Sequence, residues 1–124
     1  MDLRHHAGQV SLPGGRVEPG DDGVLGAATR EAREEIGLPA TSLEALGYLD
    51  PLLTITGFRV TPVVGWIDPA FRPRPDPNEV AEVFEVPLVE LVAPDNLQAV
   101  DLHVGGRPRR VFEYVGPGAG GRRI

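Results

Sequence analysis

A mixed α/β (α+β) fold built in layers is what this sequence predicts, on three observations. Residues 24–36 carry apolar side chains at helical spacing, several short β-prone runs follow, and 16 glycines and 13 prolines cut the chain into turns. The helix rests on Val24, Leu25, Ala28, Ala32 and Ile36 as one apolar stripe. Asp21 or Asp22 can cap its free N–H groups, and Gly37 can take the left-handed conformation that stops it. Strands are expected at 8–12, 43–49, 52–56, 58–67 and 82–86, with Pro62 implying a bulge or an edge. A short helix is expected at 88–92. Strands 98–104 and 109–115 should form a hairpin through Gly105-Gly106.

The chain has 124 residues, 41% of them hydrophobic, which suffices for one domain with a core and excludes whole-chain disorder. Residues 1–115 are expected to form that domain and the Gly-rich stretch 116–124 a flexible tail. No apolar run is long enough to span a membrane, and the first residues lack a signal-peptide core, so a cytoplasmic location is the default expectation. Without cysteine there is no disulfide framework, thiolate metal site or thiol nucleophile. A net charge of −6 argues against a nonspecific nucleic-acid binder. All 12 basic residues are arginine, which a GC-rich genome explains better than 12 dedicated phosphate contacts.

Glu31, Glu34 and Glu35 stand at i, i+3 and i+4, so the predicted helix places three carboxylates on one face. Like charges about 4 Å apart cost on the order of 1–4 kcal/mol per pair, depending on the local dielectric. Either full solvation or bound cations relieves that cost. Hard oxygen ligands so spaced suit Mg²⁺ or Mn²⁺. From the carboxylates alone a solvated charged face is the favoured reading, with Arg30 pairing Glu34 one turn on. The Gly14-Gly15 loop at a fixed distance before the helix reverses that preference.

Gly15 and Arg30-Glu31-Ala32-Arg33-Glu34-Glu35-Ile36-Gly37-Leu38 resemble the Nudix box, G-x5-E-x7-R-E-U-x-E-E-x-G-U, spanning residues 14–38 here. The acidic position before the x7 spacer is Asp22 instead of Glu, and the gap from Gly15 is six residues instead of five. Both departures look like the coenzyme A diphosphatase branch of the Nudix family. The segment from Leu3-Arg4-His5-His6-Ala7-Gly8-Gln9 to Pro13-Gly14-Gly15 also resembles that branch, as do 57–65 and 78–88, so the resemblance covers about residues 3–114.

The resemblance implies a Nudix-type α/β/α sandwich with a mixed sheet, with terminal elements of the fold expected to be missing. It implies a hydrolase of diphosphate linkages that needs Mg²⁺ or Mn²⁺. Glu31, Glu34 and Glu35 would hold metal, with the Gly15 carbonyl a further ligand. Glu34 is the first choice for activating the attacking water, with Glu79 and Glu82 behind it; a capped turn before a strand is an equally good reading of those two. Arg30 would orient the carboxylates, and Gly14, Asp22 and Gly37 would shape the loop and the helix ends. Arg4 and His6 match branch positions that could touch substrate, although a surface arginine is nearly as good a reading of Arg4. Phe58 and Trp66 are expected to pack in a core. The implied substrate is a small coenzyme A-like diphosphate, with neither nucleic acid nor membrane as partner and the oligomeric state open, a homodimer included. Two other readings stand beside it: a general hydrolase of nucleoside diphosphates linked to another moiety, and a Nudix fold used for binding or regulation.

Overall fold

The computed structural model describes residues 10–54 and 57–115. They form an α+β protein of helices and small antiparallel sheets, in two compact units. The first comprises, among the described residues, 12–54 and 57–83. The second comprises, among the described residues, 10, 11 and 84–115.

The first unit is built on α1 (Gly23–Ile36). Its start differs from the expectation in one respect: Asp22 occupies the N-cap position, but its side chain makes no capping hydrogen bond. Asp21 does not cap either, because its carboxylate is engaged by Arg30 and by the Glu18 N–H. The end of the helix is as expected. Gly37 is left-handed at φ 72°, its N–H donates to the Arg33 carbonyl at 3.0 Å, and Leu38 N–H reaches back to Ala32 O at 3.3 Å. Two further carbonyls of the last turn are satisfied from the Pro-rich loop, since Arg74 N–H donates to Ile36 O (2.8 Å) and Asp76 N–H to Glu35 O (3.0 Å). A Cβ at Gly37 would stand 3.0 Å from Arg74 Cβ. Gly37→Ala therefore combines left-handed strain with a tight contact, and a loss of about 1–2 kcal/mol in chemical denaturation is expected. An unchanged midpoint would show that the helix end relaxes freely.

After a 3₁₀ turn (Ala40–Ser42), β1 (Leu43–Tyr48) pairs antiparallel with β4 (Val63–Ile67), from Leu43 opposite Ile67 to Tyr48 opposite Val63. A bulge interrupts the register between Ala45 and Gly47. Strands β2 (Leu52–Leu53) and β3 (Arg59–Val60) form a second, minimal pair. The expected strand 58–67 is thus two strands broken at Thr61-Pro62, where proline withholds a donor from the ladder. Helix α1 lies against β4. Residues 82–86, expected as a strand, form none, and neither do residues 10–12 of the expected strand 8–12. The rest of that strand lies outside the described residues.

In the second unit, α2 (Leu88–Leu91) and a 3₁₀ turn (Pro94–Asn96) lead into the hairpin of β5 (Leu97–Val104) and β6 (Arg107–Tyr114). The hairpin closes through the Gly105-Gly106 turn that its sequence predicts, with Val104 opposite Arg107, so that β6 begins two residues earlier than expected. The 116–124 tail lies outside the described residues.

The buried face of α1 differs from the expected apolar stripe. Its buried residues are Ala27, Glu31, Ala32 and Glu35, whereas Val24 is 38% exposed. The glutamate face is turned inward because the Gly14-Gly15 loop covers it. Leu38 completes the buried apolar set of this unit among the described residues. Phe58 and Trp66, expected in a core, are 47% and 61% exposed.

Candidate active site

The site is assembled from three segments of the first unit: the loop 14–22, the exposed and buried glutamates of α1, and the turn 76–82. Glu31 and Glu35 stand one helical turn apart and retain only 8% and 4% of their surface. Burying two carboxylates is costly unless something satisfies them. Glu35 accepts a hydrogen bond from the Gly14 N–H at 3.1 Å. Burial nevertheless pushes the Glu35 carboxyl above its ordinary value near 4.5; the Gly14 N–H opposes that shift, while the charges of Glu31 and Glu79 add to it. Gly15 lies so close that a Cβ there would run into the Glu31 carboxylate, so the loop can approach the helix only with glycine at this position.

Arg30 is the hub of the loop side. Its Nε and Nη2 form a two-pronged bond to Asp21 at 2.9 and 3.1 Å. Nη2 also donates to the Arg16 carbonyl (3.0 Å), and Nη1 donates to Glu31 (3.1 Å) and Glu34 (3.3 Å), with Glu18 at 3.8 Å. The Asp21 partnership raises the Arg30 pKa and, reciprocally, holds Asp21 below its ordinary value near 3.8. Asp22, the box's acidic position when counted from Arg30, is exposed and outside this network. Counting from the glycine instead gives Gly15-x5-Asp21, the spacing of the pattern. That alternative count is the signal that would have found Asp21.

Glu34 is largely exposed, with 46% of its side-chain surface accessible, and leans on Arg30. Glu79 is half-buried and is carried by an Asx turn in which the Asp76 carboxylate accepts from Asn78 N–H (2.9 Å) while Asp76 O accepts from Glu79 and Val80 N–H. Because Asp76 is itself pinned to the end of α1, Glu79 stays close enough to Glu35 to influence its charge. Glu82 is exposed. Arg4 and His6 lie outside the described residues.

Glu31, Glu34, Glu35 and the Gly15 carbonyl are an all-oxygen donor set of the kind hard divalent cations take. Among the described residues no three carboxylates or imidazoles are already drawn together as a metal cage. The reason is visible in the bonding. Glu31 and Glu34 are turned toward the Arg30 guanidinium and Glu35 toward the Gly14 N–H. The crowding of charge around Glu35, with its carboxyl pushed up, is the state a cation would relieve, so the residues fit such a group.

A glycine loop clasped to a helix that buries paired glutamates, with an arginine tying the two together, is the local architecture of the Nudix box. The chain matches the NUDIX domain over residues 3–107 and belongs to the Nudix hydrolase family. It is 44% identical over 110 residues to a protein of Citrobacter koseri and 43% identical over 112 residues to one of Escherichia coli O6:H1, matches that take in 89% and 90% of the chain. A relative from Photorhabdus laumondii is 41% identical over 112 residues, again 90% of the chain. All three carry the name "Uncharacterized Nudix hydrolase NudL". The chain spans 57–60% of the length of these curated relatives.

Proposed function

We propose that this chain carries the metal site of a hydrolase that cuts coenzyme A, or an acyl derivative, at its diphosphate into 3′-phosphoadenosine 5′-phosphate and 4′-phosphopantetheine. The observation that carries the hydrolase reading is the buried Glu31–Glu35 pair held against Gly14 and Gly15. The coenzyme A reading rests on the flanking segments at 3–13, 57–65 and 78–88. Mg²⁺ or Mn²⁺ bound by Glu31, Glu34, Glu35 and the Gly15 carbonyl would neutralise charge on the diphosphate and make an attacking water more acidic.

The remaining work falls to side chains of this chain. Arg30 holds Glu31 and Glu34 and anchors the loop through Asp21, so it is a positioning residue. Glu34, on the same helix face, is the first choice for taking the proton of the attacking water. Glu79, carried by its turn to the neighbourhood of Glu35, is the second, and the exposed Glu82 the third. Arg4 and His6 would contact the phosphates or the arms of the substrate.

The test is initial-rate hydrolysis of coenzyme A with Mg²⁺ or Mn²⁺, set beside ADP-ribose and NADH. The expected kcat/KM for coenzyme A exceeds the others by about tenfold or more. Equal rates on all three would replace this reading with a general hydrolase of nucleoside diphosphates linked to another moiety. Absence of turnover on any of them would point to binding or regulation.

A further inference from the structure

Two hydrogen bonds from the buried glutamates, a second arginine sits in a defined place. Arg16 follows Gly15 directly, and its carbonyl accepts from Arg30 Nη2, whose partner Nη1 donates to Glu31. Its guanidinium carbon lies 4.8 Å from the centre of the Phe58 ring, a cation–π contact. The ring is itself well anchored. Phe58 N–H donates to Thr54 Oγ1 at 3.0 Å, and Phe58 O accepts from Thr54 N–H at 2.8 Å. Both the arginine and the ring are exposed, and among the described residues the Arg16 guanidinium has no carboxylate partner. In a chain with net charge −6 and a loop crowded with Glu18, Asp21 and Asp22, this cation rests on an aromatic face instead of a carboxylate.

We infer that Arg16, seated on Phe58, is a substrate-binding residue that takes a phosphoryl oxygen of the diphosphate beside the glutamate site. The inference rests on the diphosphate-hydrolase reading of that site and deepens it. A guanidinium lying over a ring spends its face on the ring and keeps its edge N–H donors for a planar pair of phosphate oxygens. Its backbone is tied to the same arginine that orients Glu31, which anchors the residue beside the glutamate face. Phe58 replaces the carboxylate that would otherwise neutralise it, leaving the positive charge for the ligand.

The experiment uses the full chain and its Arg16→Ala, Arg16→Lys and Phe58→Ala variants. It measures steady-state hydrolysis of coenzyme A, equilibrium binding of imidodiphosphate in the presence of Mn²⁺, and Mn²⁺ affinity alone. In Arg16→Ala the KM and the imidodiphosphate Kd should each rise about tenfold, while kcat and Mn²⁺ affinity stay within about twofold. Arg16→Lys should recover part of the loss, as a point charge without the planar fork. Phe58→Ala should fall between Arg16→Ala and wild type. Unchanged KM and Kd in Arg16→Ala would overturn the assignment while leaving the hydrolase reading intact. A fall in kcat and Mn²⁺ affinity at constant KM would overturn it in favour of a structural role through Arg30. If wild type hydrolyses nothing yet binds imidodiphosphate in an Arg16-dependent way, the assignment stands and the hydrolase reading falls. If it does neither, both fall.

Discussion

Glu35→Gln is expected to lower Mn²⁺ affinity at least about tenfold and metal-dependent turnover at least about a hundredfold, while the metal-free protein melts at or above the wild-type midpoint at neutral pH. The two halves of that expectation come from one feature. Glu35 is 4% exposed, and burial pushes its carboxyl above the ordinary value near 4.5. A group whose native pKa is raised contributes stability that is fully present below its unfolded pKa and is lost as pH rises through the native one. At neutral pH, above the ordinary carboxyl value, Glu35 without metal therefore costs stability, and the neutral glutamine removes that cost. Glutamine also keeps an oxygen that can accept the Gly14 N–H. What it cannot supply is negative charge for a divalent cation.

The pH dependence separates this account from a general loss of packing. Without metal, wild type should gain stability as pH falls from 7 toward about 4.5, and the gain should be smaller in Glu35→Gln. Melting curves at pH 7 and pH 5 with chelator, beside Mn²⁺ titrations of both proteins, measure it. A variant that melts well below wild type without metal, or one that binds Mn²⁺ normally, would remove Glu35 from the metal site.

What the sequence allowed one to read depended on how local each determinant is. Helix α1 and its Gly37 end were legible because helical spacing and stop signal lie within one segment, whereas the expected aspartate cap makes no capping bond to the helix. The Gly105-Gly106 hairpin was legible for the same reason. The burial of α1 was read only in part: of the expected stripe Val24, Leu25, Ala28, Ala32 and Ile36, Ala32 is buried, Leu25, Ala28 and Ile36 are half-buried and Val24 is exposed. The residues actually covered, Ala27, Glu31, Ala32 and Glu35, are set by a loop that arrives from before the helix. Polar groups satisfied by a distant backbone N–H leave no periodic trace. Strand 82–86 was read from its alternating pattern, but the segment follows the Asp76 turn without joining any strand ladder among the described residues. The Arg16–Phe58 contact joins a loop to a strand-edge turn 42 positions later, and neither residue alone signals it.

The acidic partner of Arg30 is where a one-residue difference in counting becomes a measurable result. The box pattern counted back from Arg30 selects Asp22; the structure puts Asp21 there, with two bonds to the guanidinium and a third to the Glu18 N–H. Asp21→Asn should lower the thermal midpoint by several degrees, because it leaves Arg30 without its main counter-charge and loosens the loop at Glu18. Asp22→Asn should leave the midpoint essentially where it was, since the Asp22 side chain makes no capping bond. Arg30→Ala should go further than either. It frees Glu31 and Glu34 as well as Asp21, and loss of such an orienting group lowers metal affinity or turnover about 10- to 100-fold. Acid titration adds an independent check. The native pKa of Asp21 is depressed, so its contribution is present above its unfolded pKa near 3.8 and is lost as pH falls below that value through the native one. Asp21→Asn should lack that acid-side loss, and Asp22→Asn should keep it. The decisive measurement is a pair of double-mutant cycles with Arg30→Ala. Strong non-additivity with Asp21 and additivity with Asp22 is the expected pattern, and the reverse would return the acidic position of the box to Asp22.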